Sequence, residues 1–170
     1  SRQFYTSTFR SVTGELSVYG SQCIYPLLAG IRPNLYKVFI LRGWSLLSNS
    51  GVCALLHPEG PYDDPKGYAL RDACFHRLRA HYQFKNELLL FVDVEHKQQY
   101  SVNIYGRATH SVRFASIANL FHPQTVTATL SSLESDRSVP GIKSDKGEWE
   151  LRGHPHRLLH VDESTLDVIN

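Results

Sequence analysis

Residues 51–67 read GVCALLHPEGPYDDPKG. After Gly51 the run Val52 to Leu56 is wholly apolar, with no polar alternation, which is how a strand buried on both faces of a parallel sheet reads. The next eleven residues hold three prolines and two glycines. Proline lacks an N–H and glycine favours turns, so an irregular loop is expected from His57 to Gly67. In open α/β sheets ligands bind outside the carboxyl ends of strands, which makes this loop the first place to look for a site.

Upstream, Asn34 stands where a helix N-cap belongs, directly after Pro33, because its side-chain oxygen can accept from an unpaired first-turn N–H. Leu35, Val38, Phe39, Arg42 and Leu46 then recur at helical spacing. Asn49-Ser50-Gly51 stops the helix near Ser48. Downstream, Tyr68 to Arg79 reads as a second helix, with Leu70, Ala73, Cys74 and Leu78 on one side. His81 to Phe91 reads as a strand with a bend at Asn86, and Tyr100 to Gly106 alternates as its partner. Helix, strand, helix and hairpin in this order make an α/β layered pattern.

Residues 1–33, rich in Ser, Thr, Tyr and Gly, read as an extended lead-in of short strands or loops. A boundary falls near residue 107. Beyond it the apolar clusters shorten to Phe114–Ile117, Leu120-Phe121 and Val126–Leu130, and the polar Ser131 to Gly147 reads as a surface loop. The division is therefore 1–33, 34–106 and 107–170.

The chain has 170 residues, 42% of them hydrophobic and 20% charged, with a formal charge of +2. That suits one soluble domain with a core and decides nothing about nucleic acid. No apolar run reaches the about 20 residues a membrane helix needs, and the start lacks a signal-peptide region. Cys23, Cys53 and Cys74 are widely spaced and form no Cys-x-x-Cys pair, so three buried reduced thiols and a cytoplasmic setting are expected. There is no methionine, and the chain reads as one excised from a longer protein.

The succession Asn34-Leu35-Tyr36-Lys37, Gly51 to Pro65, Leu70-Arg71, Arg77 to Leu88 and Tyr100 to Gly106 resembles the large adenine-specific DNA methylases of restriction–modification and phage-defence systems, the type IIG-like kind. The resemblance covers roughly residues 22–106, with echoes at Asn119–Pro123 and Gly153–Arg157. It implies the late strands of a Rossmann-like methyltransferase sheet with their helices and terminal antiparallel hairpin, followed by a trailing irregular or β-rich segment. It also implies a parent protein using S-adenosylmethionine and double-stranded DNA. The glycine-rich turn that holds that cofactor is absent from this chain. So is the catalytic Asn/Asp-Pro-Pro-aromatic motif, and the chain by itself is expected to be inactive. The residues after 107 would lead toward a target-recognition region.

By the same resemblance, His57, Pro58, Glu59 and Tyr62 would border the pocket for an adenine flipped out of the duplex. The alternative for them is a structural turn. Arg71, Arg77, Arg79 and Lys85 would line a DNA-backbone groove or serve as ordinary surface charge. A non-enzymatic α/β module binding DNA or a partner protein is a second reading of the whole. A magnesium-dependent nuclease using Asp63, Asp64 and Glu87 is a third, although the Asp…Glu-x-Lys signature is missing. His154, His156 and His160 have a spacing open to zinc, with no cysteine or acidic support nearby.

Overall fold

The computed structural model describes residues 2–32, 34–132 and 138–169. Its centre is a five-stranded mixed sheet in the order β1-β3-β2-β4-β5. The strands are β1 (Cys53–Pro58), β2 (Leu78–Lys85), β3 (Gln99–Tyr105), β4 (Arg113–Leu120) and β5 (Leu159–Asp162). β3 runs antiparallel between β1 and β2, which are therefore parallel to each other. β2 and β4 pair in parallel, and β5 closes the far edge antiparallel to β4.

Six α-helices are described: α1 (Arg2–Tyr19), α2 (Leu35–Ser45), α3 (Gly60–Asp63), α4 (Tyr68–Phe75), α5 (Gln124–Ser131) and α6 (Glu163–Ile169). α2 begins where the sequence predicts, with Asn34 Oδ1 accepting from the Tyr36 N–H at 3.4 Å. Pro33 lies outside the described residues. The strand over 53–58 is present, but its setting differs from the expectation. Among the described residues β1 is an edge strand paired only with antiparallel β3, and along it Ala54 and Leu56 are exposed while Cys53 and Leu55 are half-buried. A short apolar run reads alike in a buried parallel strand and in an edge strand whose outer side chains are left uncovered.

Two further expectations are corrected. The proline-broken segment is not wholly irregular: Pro61 sits in the first turn of the single-turn α3, where its missing N–H costs nothing. The second helix stops at Phe75, so Arg77 and Arg79 belong to the turn and to β2 rather than to a helix surface. The expected bend at Asn86 is real. A 3-10 turn over Asn86–Leu88 ends β2, and the chain crosses to β3 antiparallel, as the hairpin reading requires.

The first 33 residues are not an extended lead-in: α1 is an 18-residue helix. Tyr5, Phe9, Val12, Leu16 and Tyr19 fall at alternating steps of four and three, the helical period that its Ser- and Thr-rich composition hides. Thr6 and Ser17 donate their hydroxyls back to carbonyls one turn earlier. Past residue 107 the sheet continues, since β4 and β5 are its fourth and fifth strands, joined through the β2–β4 and β4–β5 ladders. Of the expected surface loop, residues 133–137 lie outside the described residues.

Each face of the sheet carries a core. On one, Leu70 and Cys74 of α4 and Val38 of α2 pack with Leu78, Tyr105, Phe114 and Val161. On the other, Phe84, Tyr100, Ile117 and Leu120 are buried, with Val126 and Leu158 against them. Toward β1 this second face lies open, and Leu56 is 54% exposed.

Candidate functional site

Strand alternation puts Ser101, Asn103 and Tyr105 on one face of β3 and Val102 and Ile104 on the other. The polar set is the buried one: Ser101, Asn103 and Tyr105 are each 0% exposed. The ladder brings His57 level with Ser101, and Gln83 and His81 level with Ser101 and Asn103. Polar side chains from three strands therefore face the segment from Glu59 to Asp64.

They form one connected polar cluster. His57 Nδ1 donates to the Pro58 carbonyl at 2.8 Å, so its Nε2 accepts from the Tyr105 hydroxyl at 2.9 Å. Tyr62 donates to Asn103 Oδ1 at 2.7 Å and lies 2.9 Å from the Tyr105 hydroxyl. The Asn103 amide donates to Ser101 Oγ at 2.8 Å, and Ser101 bonds to Glu59. Glu59 also receives His81 Nε2 at 3.3 Å and Gln83 Nε2 at 3.1 Å. Ser116 on β4 stands 3.5 Å from the other His81 nitrogen.

The electrostatics follow from this burial. Desolvation raises the pKa of the Glu59 carboxyl, but the hydrogen bonds and charge of His81 outweigh it and hold the group below its ordinary value. Burial lowers the pKa of His57 and keeps the ring neutral. Burial also pushes the Cys74 thiol up to about 12 and raises the Tyr62 and Tyr105 hydroxyls above their ordinary values. Cys74 is therefore an inert thiol at neutral pH. Cys53 is half-buried with a raised pKa and Cys23 is exposed, so only one of the three cysteines is buried as expected.

The segment itself is fastened from outside the network as well. Lys37 of α2, 4% exposed, pairs with Asp64 at 3.2 Å, and Arg71 donates to the carbonyls of Tyr62 and Asp64. Gly60 lies against the Tyr36 hydroxyl, which occupies the space a Cβ would need. Two clefts flank the segment. A smaller one of about 270 Å³ at the carboxyl end of β1 is lined by Glu59, Gly60, Asp63, Glu95, Lys97 and Gln98. A larger one of about 490 Å³ runs between α4 and α6 and includes Tyr62, Phe75, His76 and Glu163.

Three of the four residues read as a pocket rim, His57, Glu59 and Tyr62, thus belong to one bonded unit, and Pro58 is exposed beside it. The four residues read as a DNA-backbone groove are not brought together. Arg71 serves the Tyr62–Asp64 turn. Arg77 lies just before β2, Arg79 at its start and Lys85 at its far end. The nuclease residues also stay apart, with Asp64 on Lys37 and Glu87 bonded to His96 at 3.1 Å. His154 Nδ1 accepts from the His156 N–H at 3.1 Å, capping a 3-10 turn, while His160 sits on β5 against Ala115. Among the described residues no three His, Cys, Asp or Glu side chains gather as a metal site, and no helix is long and apolar enough to cross a membrane.

No family model and no curated protein matches the chain. Among solved structures, the type IIG restriction endonuclease BpuSI is similar over 84% of this chain and 16% of that one, at 14% identity and a TM-score of 0.49. The chain thus spans less than a fifth of that enzyme's length, and a likeness at this level assigns neither a family nor an activity.

Proposed function

We propose that this chain is the carboxyl half of the catalytic fold of an S-adenosylmethionine-dependent, adenine-specific DNA methyltransferase of a restriction–modification or phage-defence system. The observation that carries the reading is the open edge of β1. That strand ends in the proline-broken segment and belongs to the series α2, β1, α4 and the β2–β3 hairpin, the order the methylase resemblance implies. Among the described residues its outward side is unpaired, and its Ala54 and Leu56 side chains are uncovered. A bare apolar edge is a liability that proteins cover, and a further strand of the parent's sheet would cover it.

On this reading the Glu59–Tyr62 unit borders the pocket for the extruded base as a rigid support and attacks nothing. The chain has no glycine-rich turn to hold S-adenosylmethionine and no Asn/Asp-Pro-Pro-aromatic motif. Its residues do not fit the cofactor on their own, and no transfer step is assigned to them. A second reading, a non-catalytic module binding a partner protein in a defence complex, draws on the apolar knuckle at Leu88–Val94, where Val92 is 82% exposed.

The test is the complete reading frame, with methyl transfer to double-stranded DNA assayed on the full protein and on this chain. The methylase reading expects both missing motifs upstream and activity in the full protein only. A frame lacking both motifs, or methylation by residues 1–170 alone, overturns it.

A further inference from the structure

The end of the sheet opposite the Glu59 segment collects arginines. Arg77 lies just before β2 and Arg79 at its start, Arg107 two residues after β3, and Arg42 in the last turn of α2. Among the described residues none of the four has an acidic side chain in ion-pair range. Arg79 is spent on the carbonyls of Arg77, Leu78 and Arg107. Arg77 is not. One of its nitrogens donates to the Ala73 carbonyl at 3.1 Å, and its guanidinium carbon lies over the Trp44 ring, 4.6 Å from the centroid. Burial disfavours its charge, and nearby Arg107 disfavours it further. A half-buried, oriented guanidinium with no counter-ion keeps further N–H donors for an anion.

An open cleft of about 430 Å³ lies beside it, and Arg42, Trp44, Ser45, Arg77, Tyr25 and Leu41 are among its walls. We propose that this cleft binds a phosphoryl group, with Arg77 as the positioned fork and Arg42 as the second cation. Phosphate oxygens match the planar guanidinium two at a time. A monoester or a backbone phosphodiester presents two oxygens to the Arg77 fork and keeps further oxygen for Arg42, and the monoester's second charge balances both cations. The apolar and indole walls suit a ring carried next to the phosphate. The shared chemistry is thus a nucleotide phosphate, either free or in a nucleic-acid backbone. The inference stands apart from the methylase reading, since it uses the opposite end of the strands rather than the open flank of β1, and no cofactor.

The protein contains two tryptophans, Trp44 and Trp149. Trp149 stacks on Phe121 at 4.4 Å, remote in the chain from the cleft, and Trp149→Phe leaves Trp44 as the sole indole reporter. In that background, inorganic phosphate, adenosine 5′-monophosphate and a short DNA duplex are titrated while Trp44 fluorescence is followed. The expected result is a saturable change that weakens by about tenfold in Arg77→Gln, the loss of one charge-assisted pair. Arg42→Gln, at an exposed position that should not disturb folding, is expected to weaken it as well, and Lys146→Gln to leave it unchanged. Saturation by the monophosphate but not the duplex identifies a free nucleotide. Duplex binding that falls steeply with salt, without competition by the monophosphate, identifies a backbone phosphate. No saturable response to any of the three probes, or a response untouched by both arginine substitutions, overturns the proposal.

Discussion

Asn86 is fully buried, and its side chain makes three bonds to the backbone of the knuckle that follows: two to the Phe91 and Val94 carbonyls at 2.8 Å and one from the Phe91 N–H at 3.0 Å. Asn86→Ala leaves those groups unmet and is expected to destabilise the protein by about 2–4 kcal/mol, measured by urea denaturation. Three residues on, Leu89 adopts φ 50, a left-handed conformation that costs a branched residue about 1–2 kcal/mol. Leu89→Asn should therefore hold or raise stability in the same assay. Acid acts through His57. The unfolded ring titrates near 6.5, whereas the folded ring has a lowered pKa because burial disfavours its charge. As pH falls below about 6.5 the unfolded chain takes up a proton that the folded one refuses, so stability declines, and above that value it does not vary on this account. Glu59, held low when folded, adds a separate loss as pH drops below its unfolded value near 4.3. His57→Gln should remove the first decline and keep the second. At this scale the sequence was legible where the chemistry is local, as at the Asn34 cap and the Asn86 bend. It misled where partners come from afar: Ser101 and Asn103 look like the wet side of an alternating strand. They are dry because Glu59, Tyr62 and His81 reach them from other elements.

Among the elements, β1 separates what pattern can and cannot tell. Its existence and its proline-marked end are written in Val52 to Pro58, but its place at a sheet edge depends on which strands pair with it, and no local signal carries that. Leu56→Lys tests the assignment. In this chain the residue is largely exposed, and the change should alter stability by no more than about 0.5 kcal/mol while improving solubility. On the methylase reading the same change in the full-length parent lowers its melting temperature, because Leu56 is covered there. Equal behaviour in the two proteins would count against a missing neighbour at β1. The α1 helix was illegible for the opposite reason: its seam has the right spacing, but Ser, Thr and Gly between the apolar positions suggest loop.

As a whole the molecule rests on the sheet and its two cores, and α1 adds little to them. Phe4, Tyr5 and Phe9 are each more than half exposed, and Tyr19, at the end of the helix, packs on the core. Removing residues 1–17 should therefore shift the thermal midpoint by less than about 3 °C, a small change that calorimetry can read. A larger loss would mean that the helix contributes to the fold. The α/β class and the hairpin were legible in the sequence, since they follow from adjacent segments. The parallel β2–β4 ladder was not, because it joins residues separated by all of β3 and its loops. That ladder also orders events on the ribosome. β1, β2 and β3 can associate as soon as Tyr105 has been synthesised, but β2 keeps one bare flank until residues 113–120 emerge. A translation product halted between these points would present Phe84 and its neighbours to other nascent chains. Such a product is the form of this protein most in need of a chaperone.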